Sequence, residues 1–251
     1  MRYFAIGDIH GHSEELHALL RQICDDASYN PTSDHLILLG DLVDNGPNSK
    51  EVVEWVMFQK KLFPDTFHPL KGNHDDFMVD ALKYNSRRYK SWDLWFRQGG
   101  KQTIQSYLPE GSDYEKSIMQ PKDYIPQSHL DFLDSLPVAF WTKDYFFVHG
   151  GVPSRPLAAI EEELSQKVVD PDLEYELMWI REEFYDSHYK WGKRIIFAHT
   201  GFPSHETGFW EPYVRDTMIG INTMPRNDGK LTCLVLNDNG AKPEMYFQEK
   251  I

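Results

Sequence analysis

The chain reads as an α/β protein, and three observations point there. Short apolar runs rich in aromatic and branched residues recur along it, among them Tyr3 to Ile6, Leu36 to Leu39 and Tyr145 to Val148. Between the early runs lie stretches with apolar residues at helical spacing. Most runs end in a small cluster of Gly, Asp, His or Asn, and open α/β sheets hold ligands just beyond the carboxyl ends of their strands.

The elements follow in order. After the first strand, Leu16, Leu19, Leu20 and Ile23 make one apolar face, so a helix runs from Ser13 to about Ile23. Ser13 followed by Glu14 and Glu15 predicts its N-terminal cap. The run from Leu36 to Leu39 is apolar throughout, as a central strand covered on both faces should be. Ser49 begins a helix whose Val52, Val53, Val56 and Met57 face inward, and Phe67 to Leu70 makes a third strand. Between Asp76 and about Ser135 the pattern changes. Trp92, Trp95 and Phe96 sit among Arg87, Arg88, Lys90 and Arg97, and Pro109 to Pro126 reads as loop. This stretch is expected to be a helical insertion, about residues 76–135, within one domain spanning 1–251, its aromatics serving as core. Strands resume after it, with Glu161 to Val169 as a surface helix. Ile195 to Ala198 and Leu231 to Leu236 follow as strands, and Glu244 to Phe247 closes a hairpin across Asn239-Gly240.

Composition narrows the function. With 251 residues, 41% hydrophobic and 14% aromatic, the chain can bury a sizeable core. A formal charge of −13 argues against a nucleic acid polymer as partner, because binding a polyanion calls for a basic face. The two cysteines, Cys24 and Cys233, are far apart and form no CxxC, which excludes a disulfide framework and a zinc finger. No apolar run approaches membrane-spanning length and no leader precedes Arg2, so a cytoplasmic protein without a membrane partner is expected. The sequence carries no signal for an oligomeric state.

The chemistry sits at the strand ends. Gly7-Asp8-Ile9-His10-Gly11, Gly40-Asp41-Leu42-Val43-Asp44 and Gly72-Asn73-His74-Asp75 close the first three strands, and His149 and His199 close two later ones. Carboxylate, imidazole and amide oxygen donors suit manganese, iron or zinc, not a soft thiolate site. Five strand ends converging on one ligand set describe a dinuclear metal centre.

In that order the motifs resemble those of the calcineurin-like metallophosphoesterases, and most of all the bacterial and phage serine/threonine phosphoprotein phosphatases. Gly46-Pro47-Asn48-Ser49, Trp95 with Gly99-Gly100 and Ser106-Tyr107, Trp179-Ile180-Arg181 and Gly229-Lys230-Leu231-Thr232 also have counterparts, so the resemblance runs from Arg2 to about Leu236. It implies two mixed β-sheets packed face to face, flanked by helices. It also implies two divalent ions, manganese ahead of iron or zinc, with Asp41 bridging them. Asp8 and His10 would complete one site, and Asn73, His149 and His199 the other. His74 would protonate the departing oxygen, held by Asp44, and Arg181, Asn45 and Asn73 would contact phosphate. Asp75 and Asp76 are expected as solvated or capping groups at a helix start. His35, His68 and His129 match no family role and are expected at the surface or in a satisfied core. Three positions depart from the family pattern: Asn45 where many members have arginine, Ala198 before His199 where a glycine is common, and Asn222-Thr223-Met224 where many have Asp-Thr-Gly.

The leading expectation is therefore a metal-dependent phosphomonoesterase acting on phosphoserine, phosphothreonine or phosphotyrosine, with a phosphorylated protein or small phosphate ester as partner. A symmetrical dinucleoside tetraphosphate hydrolase is the enzymatic alternative, since it shares the motifs. The aromatic residues between Gly201 and Tyr213, including Phe202, Phe209 and Trp210, suit a base as well as a peptide side chain. A binding protein that kept the fold without turnover is the non-catalytic alternative.

Overall fold

The computed structural model describes residues 1–84, 92–118, 120–202, 211–224, 229–238 and 245–250. Its first half alternates strand and helix: β1 (Arg2–Ile6), α1 (Ser13–Ala27), β2 (His35–Leu38), α2 (Ser49–Leu62), β3 (Phe67–Pro69) and α3 (Asn73–Leu82). A helical region follows, with α4 (Trp92–Trp95), a widened turn (Phe96–Gly100), α5 (Lys101–Tyr107), α6 (Tyr114–Ser117) and α7 (Gln127–Asp134). Then come β4 (Ala139–Trp141), β5 (Tyr145–Val148), α8 (Leu157–Leu164), α9 (Pro171–Trp179), α10 (Glu182–Tyr185) and β6 (Arg194–Phe197). The chain ends with β7 (Tyr213–Val214), β8 (Met218–Gly220), β9 (Lys230–Asn237) and β10 (Met245–Lys250).

The strands form two five-stranded sheets, ordered β10-β9-β1-β2-β3 and β4-β5-β6-β8-β7. In the first, β1, β2 and β3 are parallel and β9 runs antiparallel to β1. In the second, β5, β6 and β8 are parallel, with β4 and β7 antiparallel at the edges. Alternation along each strand decides what meets what. Tyr3, Ala5, Ile37 and Leu39 face Tyr145, Phe147, Ile196 and Ala198 between the sheets. Phe4, Ile6, Leu36 and Leu38 point the other way, into a core shared with α1, α2 and α3. Phe146, Val148, Ile195 and Phe197 do the same toward α8 and α9. Both faces of each central strand are covered, which is why these strands read as unbroken apolar runs.

Several expectations shift in detail. Ser13 is the first residue of α1, not its cap, and its hydroxyl donates to Glu51 at 2.8 Å. The segment from Pro109 to Pro126 is not all loop, since α6 and a 3-10 turn at Pro121–Asp123 lie within it. Pro156 sets the start of α8 four residues before the expected Glu161, because proline's fixed φ suits a helix entrance. The short strands β4, β7 and β8 escape a periodicity search because two or three residues cannot show a period. Arg87, Arg88, Lys90, Phe209, Trp210 and the Asn239-Gly240 turn lie outside the described residues. Trp95, Ile104, Tyr107, Leu130 and Leu133 join the first-sheet core, as expected of aromatics and aliphatics in the helical region. Among the described residues no helix is long and apolar enough to cross a membrane.

Two unassigned histidines are half-buried and satisfied by each other. His35 on β2 and His68 on β3 share a hydrogen bond of 2.8 Å, and His68 stacks 3.9 Å from the Phe140 ring centroid in the opposite sheet. Burial, then the neighbouring His35, pushes His68 down to about 3. Its folded pKa lies below its unfolded one, so its contribution to stability is complete above about pH 6.5 and lost as pH falls toward 3. Between pH 7 and pH 5 this one ring should cost up to about 2 kcal/mol of stability. His68→Gln is expected to flatten the stability profile over that interval in urea titrations. Equal losses in both proteins would mean that other groups set the acid sensitivity.

Candidate metal centre

The strand ends do converge. Asp8 and His10 follow β1, Asp41 follows β2, Asn73 opens α3 just beyond β3, and His149 and His199 follow β5 and β6. The loops are laced by their own backbone: Ile9 and His10 N–H donate to the Asp41 carbonyl, Gly46 N–H to His10, and Ala198 N–H to His149. Tight turns are needed to bring the side chains inward. His10, Asp41, Asp44, Asn45 and His199 all have left-handed backbone, with φ between +47° and +72°. Asp, Asn and His tolerate that region better than most residues, yet each such conformation is held at a cost of roughly 1–3 kcal/mol by its surroundings. Gly72 allows a close approach, because a Cβ there would collide with the Asp41 backbone and carboxylate.

The ligand atoms fit cations. His149 Nδ1–H donates to the Leu39 carbonyl at 2.8 Å, leaving Nε2 to face Asn73 Oδ1 at 2.8 Å and Asp41 Oδ2 at 3.3 Å. His10 Nδ1–H donates to the Val43 carbonyl at 3.0 Å, and its Nε2 lies 3.6 Å from Asp41 Oδ2. A backbone carbonyl that fixes one ring nitrogen is the usual way to aim the other at a metal. His199 Nε2 is buried with no hydrogen-bond partner. Burial, then the charges of His149 and Arg181, keep that ring neutral, with its pKa well below the ordinary value. Burial opposes ionisation of Asp41, but His149 and His74 hold it well below the ordinary carboxylate range. His149 in turn loses basicity to burial but regains more from Asp41, rising to about 9. A proton there occupies the place where a lone pair and two acceptor oxygens meet, which is where a cation belongs.

Two triads bring their ligand atoms within 4.8 Å of one another: Asp41 with His149 and His199, and Asp41 with His10 and His74. Asp41 is common to both, as a bridging carboxylate must be. Asp8 lies just outside them, buried, with its Oδ1 accepting the His199 N–H at 3.2 Å and its Oδ2 accepting Asn222 Nδ2–H at 2.6 Å.

His74 stands at the first turn of α3, where its backbone N–H donates to Asp41 Oδ1 at 2.9 Å. Its Nδ1 is 2.9 Å from Asp44 Oδ2. Asp44 is fully buried and further anchored by Trp95 Nε1–H at 3.1 Å and Thr103 Oγ1–H at 2.7 Å. Burial works against protonation of His74, but the charge of Asp41 and the bond to Asp44 outweigh it and lift the ring to about 9. Bound cations would pull that value back toward neutrality.

A cavity of about 670 Å³ opens onto these groups, lined by Asp8, His10, Asp41, His74 and His199 and also by Asn45, Arg97, Gln98 and Arg181. Arg181 precedes α10 and donates through Nη1 to Thr200 Oγ1 at 2.9 Å. Asn45 Nδ2 lies 3.4 Å from His10 Nδ1.

Some supporting residues were not assigned from sequence. Asp75 is not a solvated group: it is fully buried and accepts the N–H groups of Gly72 at 2.9 Å and Leu42 at 3.0 Å. Burial and the charge of Asp41 raise it to about 7. It caps α3 and ties that helix to the Asp41 loop at once. Asp76 is also buried. Asn222, noted only as a departure from the family pattern, orients Asp8. Its position just past a strand, β8, was the available signal. Thr103 bonds both the N–H and the carboxylate of Asp44, and nothing in its sequence surroundings announces this.

The chain is similar to known proteins in sequence and in fold. Residues 1–226 match the model of the calcineurin-like phosphoesterase family. A symmetrical bis(5'-nucleosyl)-tetraphosphatase of Chromobacterium violaceum is 47% identical over 75 residues, covering 30% of this chain and 24% of that protein. One from Aromatoleum aromaticum is 29% identical over 187 residues, 71% of this chain and 57% of its own length. The chain thus spans less than two thirds of these relatives. A Saccharomyces cerevisiae protein serine/threonine phosphatase with similarity to human phosphatase PP5 shares the fold, with a TM-score of 0.55 at 16% identity over 100% of this chain and 80% of that one.

Proposed function

The chain belongs to the calcineurin-like phosphoesterases, and from that premise we propose that it is a dinuclear metal-dependent phosphomonoesterase, with phosphoserine or phosphothreonine as its preferred class of substrate. We take it as one domain over 1–251, with residues 76–135 inserted. The observation that carries the substrate reading is the pairing of His74 with fully buried Asp44 beside the ligand cluster. An alkoxide leaving from a seryl or threonyl phosphate is strongly basic and needs a proton as it departs. A nucleotide leaving from a phosphoanhydride is already a weak base and gains little from one.

Roles follow for the residues. Asp8, His10, Asp41, Asn73, His149 and His199 would hold two divalent ions, manganese by expectation. Such a pair, when bound, supplies an acidified water and positive charge for the phosphoryl oxygens. Asp44 takes Nδ1 of His74, which leaves Nε2 as the nitrogen with a proton to give. Arg181, and more weakly the neutral Asn45 and the amide of Asn73, would bind the non-bridging oxygens. Arg181→Ala is expected to raise KM, lower kcat and weaken inhibition by inorganic phosphate about 10- to 100-fold, the span for a lost hydrogen bond from a charged group. An unchanged phosphate inhibition constant would take Arg181 out of the site.

The names of the relatives favour a second reading, symmetrical hydrolysis of a dinucleoside tetraphosphate. The deciding experiment compares kcat/KM of the manganese-loaded protein on a phosphoseryl and phosphothreonyl peptide panel and on diadenosine tetraphosphate. Preference for the tetraphosphate would replace the first reading by the second. Absence of turnover on every substrate would leave only a binding protein of the same fold.

A further inference from the structure

A second arginine reaches the same cavity from the helical region. Arg97 lies on the widened turn Phe96–Gly100 between α4 and α5. Both flanks of that turn are fixed to the loop that carries Asp44 and Asn45. On one side Trp95 Nε1–H donates to Asp44, and on the other Thr103 Oγ1–H does. In the middle, Asn45 N–H donates to the Gly99 carbonyl at 3.4 Å. Gly99 has φ +106°, and a Cβ there would come within 2.5 Å of the Asn45 nitrogen and side-chain oxygen. The backbone of the turn therefore sits directly against Asn45, and Arg97 extends from a rigid stem.

The guanidinium itself is uncommitted. Arg97 is exposed and makes no hydrogen bond or ion pair with another described residue, whereas Arg181 is tied to Thr200. The carboxylates lining the cavity are Asp8 and Asp41, and both are engaged in the ligand cluster. A free cation on a fixed support, facing a site for phosphate, lacks only an anion. A phosphate monoester carries close to two negative charges near neutral pH and a diester carries one. Resting on the reading above, we infer that Arg97 is a substrate-contacting residue that selects the monoester dianion, gripping the solvent-side oxygens with the planar fork that Asn45 does not have.

The test compares p-nitrophenyl phosphate with bis(p-nitrophenyl) phosphate on manganese-loaded wild type, Arg97→Ala and Arg97→Lys, alongside calorimetric binding of inorganic phosphate. Arg97→Ala should lose roughly 5- to 30-fold in monoester kcat/KM and in phosphate affinity, between the value of an exposed ion pair and that of a committed charged hydrogen bond. The diester should lose much less, and Arg97→Lys should recover part of the monoester loss. An equal loss on both esters, or unchanged phosphate affinity in Arg97→Ala, would overturn the assignment while wild-type monoester turnover kept the parent reading intact. A wild-type protein that neither hydrolyses the monoester nor binds phosphate would overturn both.

Discussion

Asp41→Asn is expected to strip both metal ions from the protein and to abolish turnover. Its Oδ2 lies 3.6 Å from His10 Nε2 and 3.3 Å from His149 Nε2, and its Oδ1 accepts the His74 N–H. No other side chain belongs to both ligand triads. An amide keeps the shape but removes the one negative charge set between two dications, so their mutual repulsion is no longer offset. Losing a residue that merely orients a ligand costs about 10- to 100-fold in metal affinity, and a bridging ligand should cost more. Asp8→Asn should be milder, since Asn222 and the His199 N–H already share its oxygens. Elemental analysis after dialysis gives the metal count directly, and chelation of the wild type should abolish activity reversibly. Two ions retained by Asp41→Asn, or a fully active wild type holding only one, would sink the dinuclear assignment.

How far this site was readable from the sequence depends on what each residue needs. The convergence of Asp8, Asp41, Asn73, His149 and His199 is legible because each follows a strand whose apolar run is unmistakable, and the parallel strands of the two packed sheets end at one edge. His10, two residues on, came with them. The supports were harder. Trp95 and Thr103 hold Asp44 from more than 50 residues away, and no local pattern encodes a hydrogen bond across that separation. Of the two roles the sequence offers Asp75, solvated or capping, the structure shows the capping one, since acids suit helix starts. Its burial follows from α3 packing against the Asp41 loop, which only the assembled fold reveals. The left-handed turns at Asp41, Asp44 and Asn45 were equally hidden, since these residue types tolerate that backbone without requiring it. The fold class was legible for the opposite reason: runs such as Phe146 and Val148 alternating with Tyr145 and Phe147 fill two cores at once.

The second large effect separates proton donation from metal binding. His74 shares a triad with His10 and Asp41, so its position alone allows it to be a ligand. Its Nδ1, however, is committed to Asp44, and Asp44 is held by three side chains in addition to the ring: Trp95 Nε1–H and the Thr103 hydroxyl meet its carboxylate, and the Ser49 and Thr103 hydroxyls meet its own N–H. So much apparatus around one carboxylate suits a ring whose charge and orientation matter more than its lone pair. His74→Asn is therefore expected to keep both metals and to lose roughly 10²–10⁴-fold in kcat on alkyl phosphates, the span of a missing general acid. On p-nitrophenyl phosphate, whose leaving group departs with little protonation, the loss should be far smaller. Asp44→Asn should reproduce the same leaving-group bias, because it spoils the donor without touching a ligand. Equal losses on alkyl and aryl esters would count against His74 as the acid, and a missing metal ion in the variant would make it a ligand instead.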